Sequence, residues 1–430
     1  MSNASGQNWV MQEPEDGYAG EASYKPVPDI RPVPRISVQA FCMDAETART
    51  IEAAGEDRRM TKAHLKVHMG GIQAAIEHFS QAPTPNLIII ECGASQQSLV
   101  ADLDRLAEYC DTGTKVIVIG HINDVALYRD LIQRGVSEYL VAPVTILQII
   151  GAAGALYSDP QSEPLGRTMA FFGVKGGCGS STLSHNVAWN LARSFGSEVV
   201  LADLDLPFGT AGLDYNQDPL QGVYEAVSAP ERLDETFLDR ILSRCTDHLS
   251  LLAAPASLER GYDYSETSFD PLVDVMRQGT PAIVLDLPHA WNNWVRHLLQ
   301  ISDDVVMVAE PDLANLRNAK NLVDTLRQMR PNDHPPHLVL NRVGMPKRPE
   351  IKPEEFAKAL NLPVLAAIPF DPHLFGTAAN NGQMIGELDS RHAVNDLISQ
   401  IAHTVSGRGE IKRGRRSPVA ALMDLLRKGK

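Results

Sequence analysis

The segment Phe171–Gly196, FFGVKGGCGSSTLSHNVAWNLARSFG, holds the residues best suited to chemistry. An apolar run enters a turn made of Lys175, Gly176, Gly177, Cys178, Gly179, Ser180, Ser181 and Thr182, and a helical pattern follows. Glycines at 176, 177 and 179 let backbone N–H groups curl around an anion without Cβ clashes. The start of the helix adds partial positive charge to that cradle. Ser181 or Thr182 can offer a hydroxyl to Mg2+. The strict phosphate-loop pattern GxxxxGKS/T is not met, because Val174 replaces its first glycine and Ser180 sits at its lysine position. A tight strand–helix turn is the plain alternative for such a loop. Asp203, Asp205 and Asp286 close the apolar runs VVLADLD and AIVLD. Singly, each would read as a helix cap or a solvated loop residue. Together they supply what a Mg2+–phosphate centre requires. Cys178 reads as a small buried side chain rather than a catalytic thiol, since no triad accompanies it.

Elements that could position these groups are legible along the chain. Residues 1–35 are Pro-rich and polar, with little to bury, and read as disordered. Residues 36–157 alternate apolar runs with helical stretches; the candidate strands are Ile36–Cys42, Asn86–Cys92, Lys115–Gly120 and Glu138–Val141. Residues 158–166 form a polar linker. A second series over 167–405 offers strands Thr168–Gly173, Glu198–Asp203, Leu249–Ala253, Ala282–Asp286, Asp304–Ala309, His337–Asn341 and Val364–Ile368. The expected fold class is α/β. Strand–helix alternation predicts two parallel-sheet domains, the second doubly wound; resemblance to known families implies that the first is receiver-like (flavodoxin-like) and the second a mostly parallel-sheet P-loop NTPase domain. In such a sheet the ligand crevice lies at the carboxyl ends of the strands, where the loop and the three acids fall.

KGGCGSST resembles the deviant loop Lys-Gly-Gly-x-Gly-Lys-Ser/Thr-Thr of the ParA/MinD family of P-loop ATPases. VVLADLDLPF, AIVLDLP, LVLNR and IPFDP resemble that family's later motifs, in its order, so the likeness covers about 167–405. The resemblance implies ATP and Mg2+ as ligands and a nucleotide-sandwich homodimer. Lys175 matches the signature lysine that reaches the partner's phosphates. Ser181 matches the Mg2+-ligating hydroxyl and Thr182 a neighbouring phosphate contact. Asp203 and Asp286 match the acids that support Mg2+, and Asp205 the one that orients the attacking water. Asn341 and Arg342, from LVLNR, match positions near the adenine. Ser180 departs from the pattern at the lysine that stabilises the transferring phosphoryl group, so ATP binding with slow turnover is expected.

Residues 36–157 resemble a response-regulator receiver in outline. Glu91 stands at the phosphoacceptor position and Ala142 at the lysine position, so a pseudo-receiver used for docking or dimerisation is expected. A pseudo-receiver before a degraded phosphate loop resembles the CpaE/TadZ branch of pilus-assembly proteins. That likeness implies a cytoplasmic, often polar organiser of Flp/Tad (type IVb) pilus assembly, with secretion ATPase components as partners. A non-enzymatic scaffold and a ParA-type DNA-partition ATPase are the alternative readings.

Composition bears on these alternatives. The net charge is -14, while Ile411–Lys430 alone carries +6, leaving -20 on residues 1–410. An acidic body disfavours nucleic acid as a partner. The tail, 406–430, contains SPVAALMDLLRKGK, a short amphipathic helix pattern behind Arg413, Arg415 and Arg416. It could touch an anionic inner-membrane surface. Five scattered cysteines without a CxxC pair fit reduced thiols in a cytosol. No secretory leader is expected, and no apolar run reaches the ~18 residues of a membrane span.

Overall fold

The computed structural model describes residues 30–93, 96–158 and 165–407. The Pro-rich stretch through residue 29, most of the linker and the basic tail from 408 lie outside the described residues.

The first sheet comprises β1 (Ser37–Cys42), β2 (His64–Met69), β3 (Leu87–Cys92), β4 (Lys115–Gly120) and β5 (Glu138–Val141). All pairs are parallel, in the order β2-β1-β3-β4-β5. The unbroken aliphatics of β3 and β4 place them inside, because a parallel sheet is covered on both faces. The strand β2 is absent from the sequence expectation. Its HLKVHM has no continuous apolar run and is half-exposed, as befits an edge.

The second sheet contains β6 (Arg167–Gly173), β7 (Val199–Asp203), β8 (Ser243–Thr246), β9 (Leu249–Leu252), β10 (Ala282–Asp286), β11 (Asp304–Ala309), β12 (His337–Val343) and β13 (Val364–Pro369). Its order is β13-β12-β11-β6-β10-β7-β9-β8. Only the short edge pair β8–β9 is antiparallel. The expectation of seven strands therefore falls one short. The missed β8, SRCT, is four residues long and polar, so it carries no strand signal.

The order puts β10 between β6 and β7, with Asp286 in register with both Phe171 and Asp203. The carboxyl ends that carry the loop and two of the acids are thus neighbours. Alternation along β6 sends Met169 and Phe171 into one core and Ala170 and Phe172 into the other. Helix Ser180–Phe195 packs Leu183, Val187 and Leu191 onto the first of these, each at most 1% exposed. Burying each such side chain is worth about 1.5–3 kcal/mol. Gly196, left-handed at φ 56°, ends the helix.

The two sheets meet through their amino-terminal ends. Arg58, in a short turn before β2, places Nε and Nη2 on the Asp333 carboxylate at 2.7 and 3.2 Å. Its Nη1 donates to Ile301 O at 3.0 Å. Arg59 donates to the same carboxylate and, at 2.9 Å, to Asp57, which also accepts from Asn332 Nδ2 at 2.9 Å. Arg330 completes the cluster, its Nε 3.2 Å from Asp333.

Candidate functional site

The phosphate loop lies between β6 and helix Ser180–Phe195, and its glycines take the conformations expected of them. Gly177 and Gly179 have φ of 79° and 88°, in the left-handed region. A Cβ on Gly179 would stand 2.3 Å from Asn341 Nδ2, so only glycine allows this approach. Asn341 uses the approach to brace the loop, donating from Nδ2 to Cys178 O at 2.8 Å. Its Oδ1 accepts from Arg342 N at 2.9 Å. Cys178 is buried and donates to Val308 O at 3.3 Å, a packing role, and burial raises its thiol above the usual range. His289, just past Asp286, ties its Nδ1–H to Gly173 O at 2.8 Å.

The three acids occupy different environments. Asp203 is 1% exposed and accepts from Asp205 N (3.2 Å) and Ala211 N (3.0 Å). Burial and the neighbouring Asp286 hold its carboxyl well above the usual range. Asp205 accepts from Phe208 N at 3.3 Å, and burial raises its carboxyl above the ordinary value. Asp286 Oδ2 faces His185 Nε2 at 3.2 Å.

His185 was not among the residues singled out from the sequence. It is fully buried, and its Nδ1 contacts Asp214 at 2.7 Å. Burial opposes its charge, but Asp214 and Asp286 outweigh burial and raise the imidazole to about 10. A cation is thereby fixed behind the acids. The one available signal was spacing: His185 follows Ser181 by four residues and shares its helix face.

Six buried side-chain atoms have no hydrogen-bond partner among the described residues, and two of them, Ser180 Oγ and Asp286 Oδ1, lie in this site. Native structures rarely leave buried polar atoms unpaired. One sits at the start of the loop helix and the other at the neighbouring strand end. Loop N–H groups, Ser181, Asp203 and Asp286 are the chemistry of a phosphate–Mg2+ site, and the orphaned oxygens fit such an occupant.

Lys175 is about half exposed, with Nζ 3.8 Å from Asp312 Oδ2. Asp312 also accepts from Arg348 at 2.6 Å, and Glu310 pairs with Arg348 (2.8 Å) and Arg342 (2.7 Å). Arg342 has φ 56°. Thr182 and Ser181 are partly exposed at the first helical turn. Around this face, Phe208, Leu213, Leu258, Trp291 and Leu313 project into solvent from loops and helix starts after the strands, each more than half exposed.

In the first sheet, Glu91 is buried and fully engaged. Its carboxylate accepts from Met43 N (2.7 Å), Asp44 N (2.9 Å) and Thr47 Oγ1 (2.8 Å). Asp44 caps the following helix through Glu46 N at 3.0 Å.

Residues 169–384 match the sequence family described as the CobQ/CobB/MinD/ParA nucleotide binding domain. The septum site-determining protein MinD of Bacillus subtilis is 23% identical over 251 residues, 56% of this chain and 90% of that protein. Among solved structures, a ParA family ATPase from Chlorobium tepidum is similar with a TM-score of 0.51 and 23% identity, over 55% of this chain and 98% of that one. The pilus assembly protein CpaE of Caulobacter crescentus is 50% identical, covering 30% of this chain and 98% of that one, with a TM-score of 0.30.

Proposed function

The chain belongs to the CobQ/CobB/MinD/ParA nucleotide-binding family, and from this premise we propose that it is an ATP- and Mg2+-dependent spatial organiser of type IVb pilus assembly. It acts as a nucleotide-linked homodimer with slow turnover. The observation that carries the nucleotide reading is the pair of buried, unpartnered oxygens, Ser180 Oγ at the start of the loop helix and Asp286 Oδ1 at the neighbouring strand end.

In this reading, backbone N–H groups of residues 176–182 hold the phosphates, and Thr182 adds a hydroxyl. Ser181, Asp203 and Asp286 hold Mg2+, which neutralises phosphate charge when bound. His185 aims Asp286 through the contact of its Nε2 with Oδ2. Asp205 orients the attacking water. Asn341 keeps the loop closed beneath the nucleotide, and Arg342 lies at its adenine side. Lys175 leaves Asp312 to reach phosphates across the dimer. The exposed apolar side chains on this face support a partner copy there, since such a cluster is costly to leave in water.

The pilus-assembly part rests on the combination of a receiver-like sheet lacking its phosphoacceptor with a loop lacking its lysine. Glu91 supports it, because a carboxylate already spent on Met43, Asp44 and Thr47 leaves that domain to dock rather than transfer phosphate. The polar, membrane-peripheral placement and the contact with secretion ATPase components belong to the same proposal. No helix among the described residues is long and apolar enough to cross a membrane.

The deciding experiment titrates the purified chain with ATP and Mg2+ by calorimetry, with sizing runs, for wild type and Lys175→Ala. Binding accompanied by dimer formation, with the dimer lost in the variant, is expected. Absence of binding at millimolar ATP would replace the switch by a scaffold, the alternative that the missing lysine at position 180 keeps open. A second expectation concerns Ser180 itself. Ser180→Lys restores a preorganised positive charge at the phosphoryl group and should raise turnover by roughly 10²-fold. Phosphate release under single-turnover conditions would measure this; an unchanged rate would show that position 180 does not limit the chemistry.

A further inference from the structure

A second constellation lies at the opposite, amino-terminal end of the same sheet and plays no part in the nucleotide reading. Asp304 opens β11 and is 1% exposed. His337 opens the adjacent β12, and His334 stands three residues before it, across Pro335 and Pro336. Both histidines bring Nε2 to 3.0 Å from the same atom, Asp304 Oδ1. Their rings lie 4.9 Å apart, and their side chains are only 16% and 10% exposed. The other carboxylate oxygen is held apart: Oδ2 accepts from Arg167 Nε at 2.6 Å, while the same Nε also reaches Val405 O at 3.0 Å.

The His334 tautomer is fixed by a bond within its own loop. Its Nδ1 lies 2.9 Å from Pro335 O, and a carbonyl can only accept, so Nδ1 carries the hydrogen. At 3.0 Å from the Asp304 carboxylate, Nε2 donates as well, so a metal ion binding there would take the place of the Nε2 proton. An imidazole that gives its other N–H to a backbone carbonyl is the arrangement metal-binding histidines use. The spacing agrees as well. Two metal–ligand bonds of about 2.1 Å meeting at a tetrahedral angle place their ends roughly 3.4 Å apart, a small opening of the observed 3.0 Å contacts. A cavity of about 190 Å³, lined by His334, Pro335, Pro336, Arg330 and Asp333, adjoins the cluster on the His334 side.

We propose that Asp304, His334 and His337 form a site for a divalent transition-metal cation of the zinc class. Two imidazole nitrogens and one carboxylate oxygen suit zinc and its neighbours better than Mg2+ or Ca2+. The site borders the junction of the two sheets, since Asp303 and Asp333 are the chain neighbours of Asp304 and His334 and contact Arg58. A bound cation would cross-link the starts of β11 and β12 and stiffen the surface on which the first sheet docks.

The test uses the full chain stripped of metal and titrated with Zn2+ against a chromophoric chelator. One equivalent should bind at micromolar free Zn2+ and raise the unfolding temperature. His334→Ala and His337→Ala should each weaken that binding on the order of 10²-fold or more. Because a variant could fail for want of folding, the wild-type chain supplies a second readout. Zn2+ should protect His334 and His337 from acylation by diethyl pyrocarbonate, read by peptide mass spectrometry, while the exposed His64 and His373 stay reactive. Absence of micromolar binding overturns the proposal. Equal binding by folded variants, or binding that leaves His334 and His337 reactive, overturns it too.

Discussion

Asp333→Ala should lower stability by roughly 3–5 kcal/mol and separate the unfolding of the two sheets. In the native chain this one carboxylate accepts from Arg58, Arg59 and Arg330, whose side chains are 8%, 4% and 4% exposed. Burial works against its charge, but the guanidiniums outweigh burial and hold the carboxyl at about 2. Its removal leaves three guanidiniums short of a counter-charge where water reaches them poorly, and such orphaned charges account for most of the cost. Denaturant unfolding followed by probes in each sheet would measure the effect. Lys62→Ala provides the contrast, because its pair with Asp274 is about 40% exposed on both sides and should be worth about 1 kcal/mol or less. If Asp333→Ala costs no more than Lys62→Ala, the junction is wetter than its exposures indicate, and the clamp is not what joins the sheets.

His185→Leu should have an effect of the same size through different chemistry. The imidazole stands between Asp214 and Asp286 and contacts both. Leucine would fill much of the volume but leave Asp286, 1% exposed, beside Asp203 without the imidazole that contacts it. Two neighbouring buried carboxylates cannot both stay charged cheaply, so one would take up a proton or the site would open. A loss of roughly 3–5 kcal/mol is expected, together with weaker Mg2+ dependence of nucleotide affinity. His185→Gln separates the two consequences. It restores a hydrogen bond without the charge, so it should recover part of the stability and little of the Mg2+ dependence. Thermal unfolding and calorimetric titration of ATP at several Mg2+ concentrations would decide. Normal Mg2+ dependence in a folded His185→Leu protein would mean that the histidine only packs.

How much of this was legible beforehand follows from the range of each signal. The phosphate loop could be read because its strongest signals, the strand, the glycines and the helix stop at Gly196, lie in the one segment Phe171–Gly196, whereas the brace from Asn341 comes from far along the chain. Buried central strands such as β3, β4 and β10 announced themselves as continuous aliphatics. The edge strands β2 and β8 did not, since a half-exposed edge has no need of an apolar run. The polar clusters were hidden for another reason. Arg58 and Asp333 are 275 positions apart, and nothing local in either segment marks it as one half of a buried pair. His185 had the right helical spacing from Ser181, but its meaning depends on Asp214 and Asp286, which only the folded sheet brings to it. Glu91 was visible as a departure from a receiver pattern; that its carboxylate is consumed by Met43, Asp44 and Thr47 became clear only in three dimensions.

The end-to-end docking of the two sheets also has a consequence for valency. Because they join through their amino-terminal ends, the carboxyl-terminal faces, one bearing Glu91 and the other the phosphate loop, point away from the junction. Occupying one face does not bury the other. If two copies pair through the loop face, the pair carries two outward receiver-like faces at a fixed separation. A partner displayed in multiple copies would then meet a bivalent ligand, for which avidity can exceed the single-site affinity by about 10²–10⁴-fold without any new contact. Nucleotide state would set how firmly such an assembly is held through the number of faces presented, leaving the chemistry of each face unchanged.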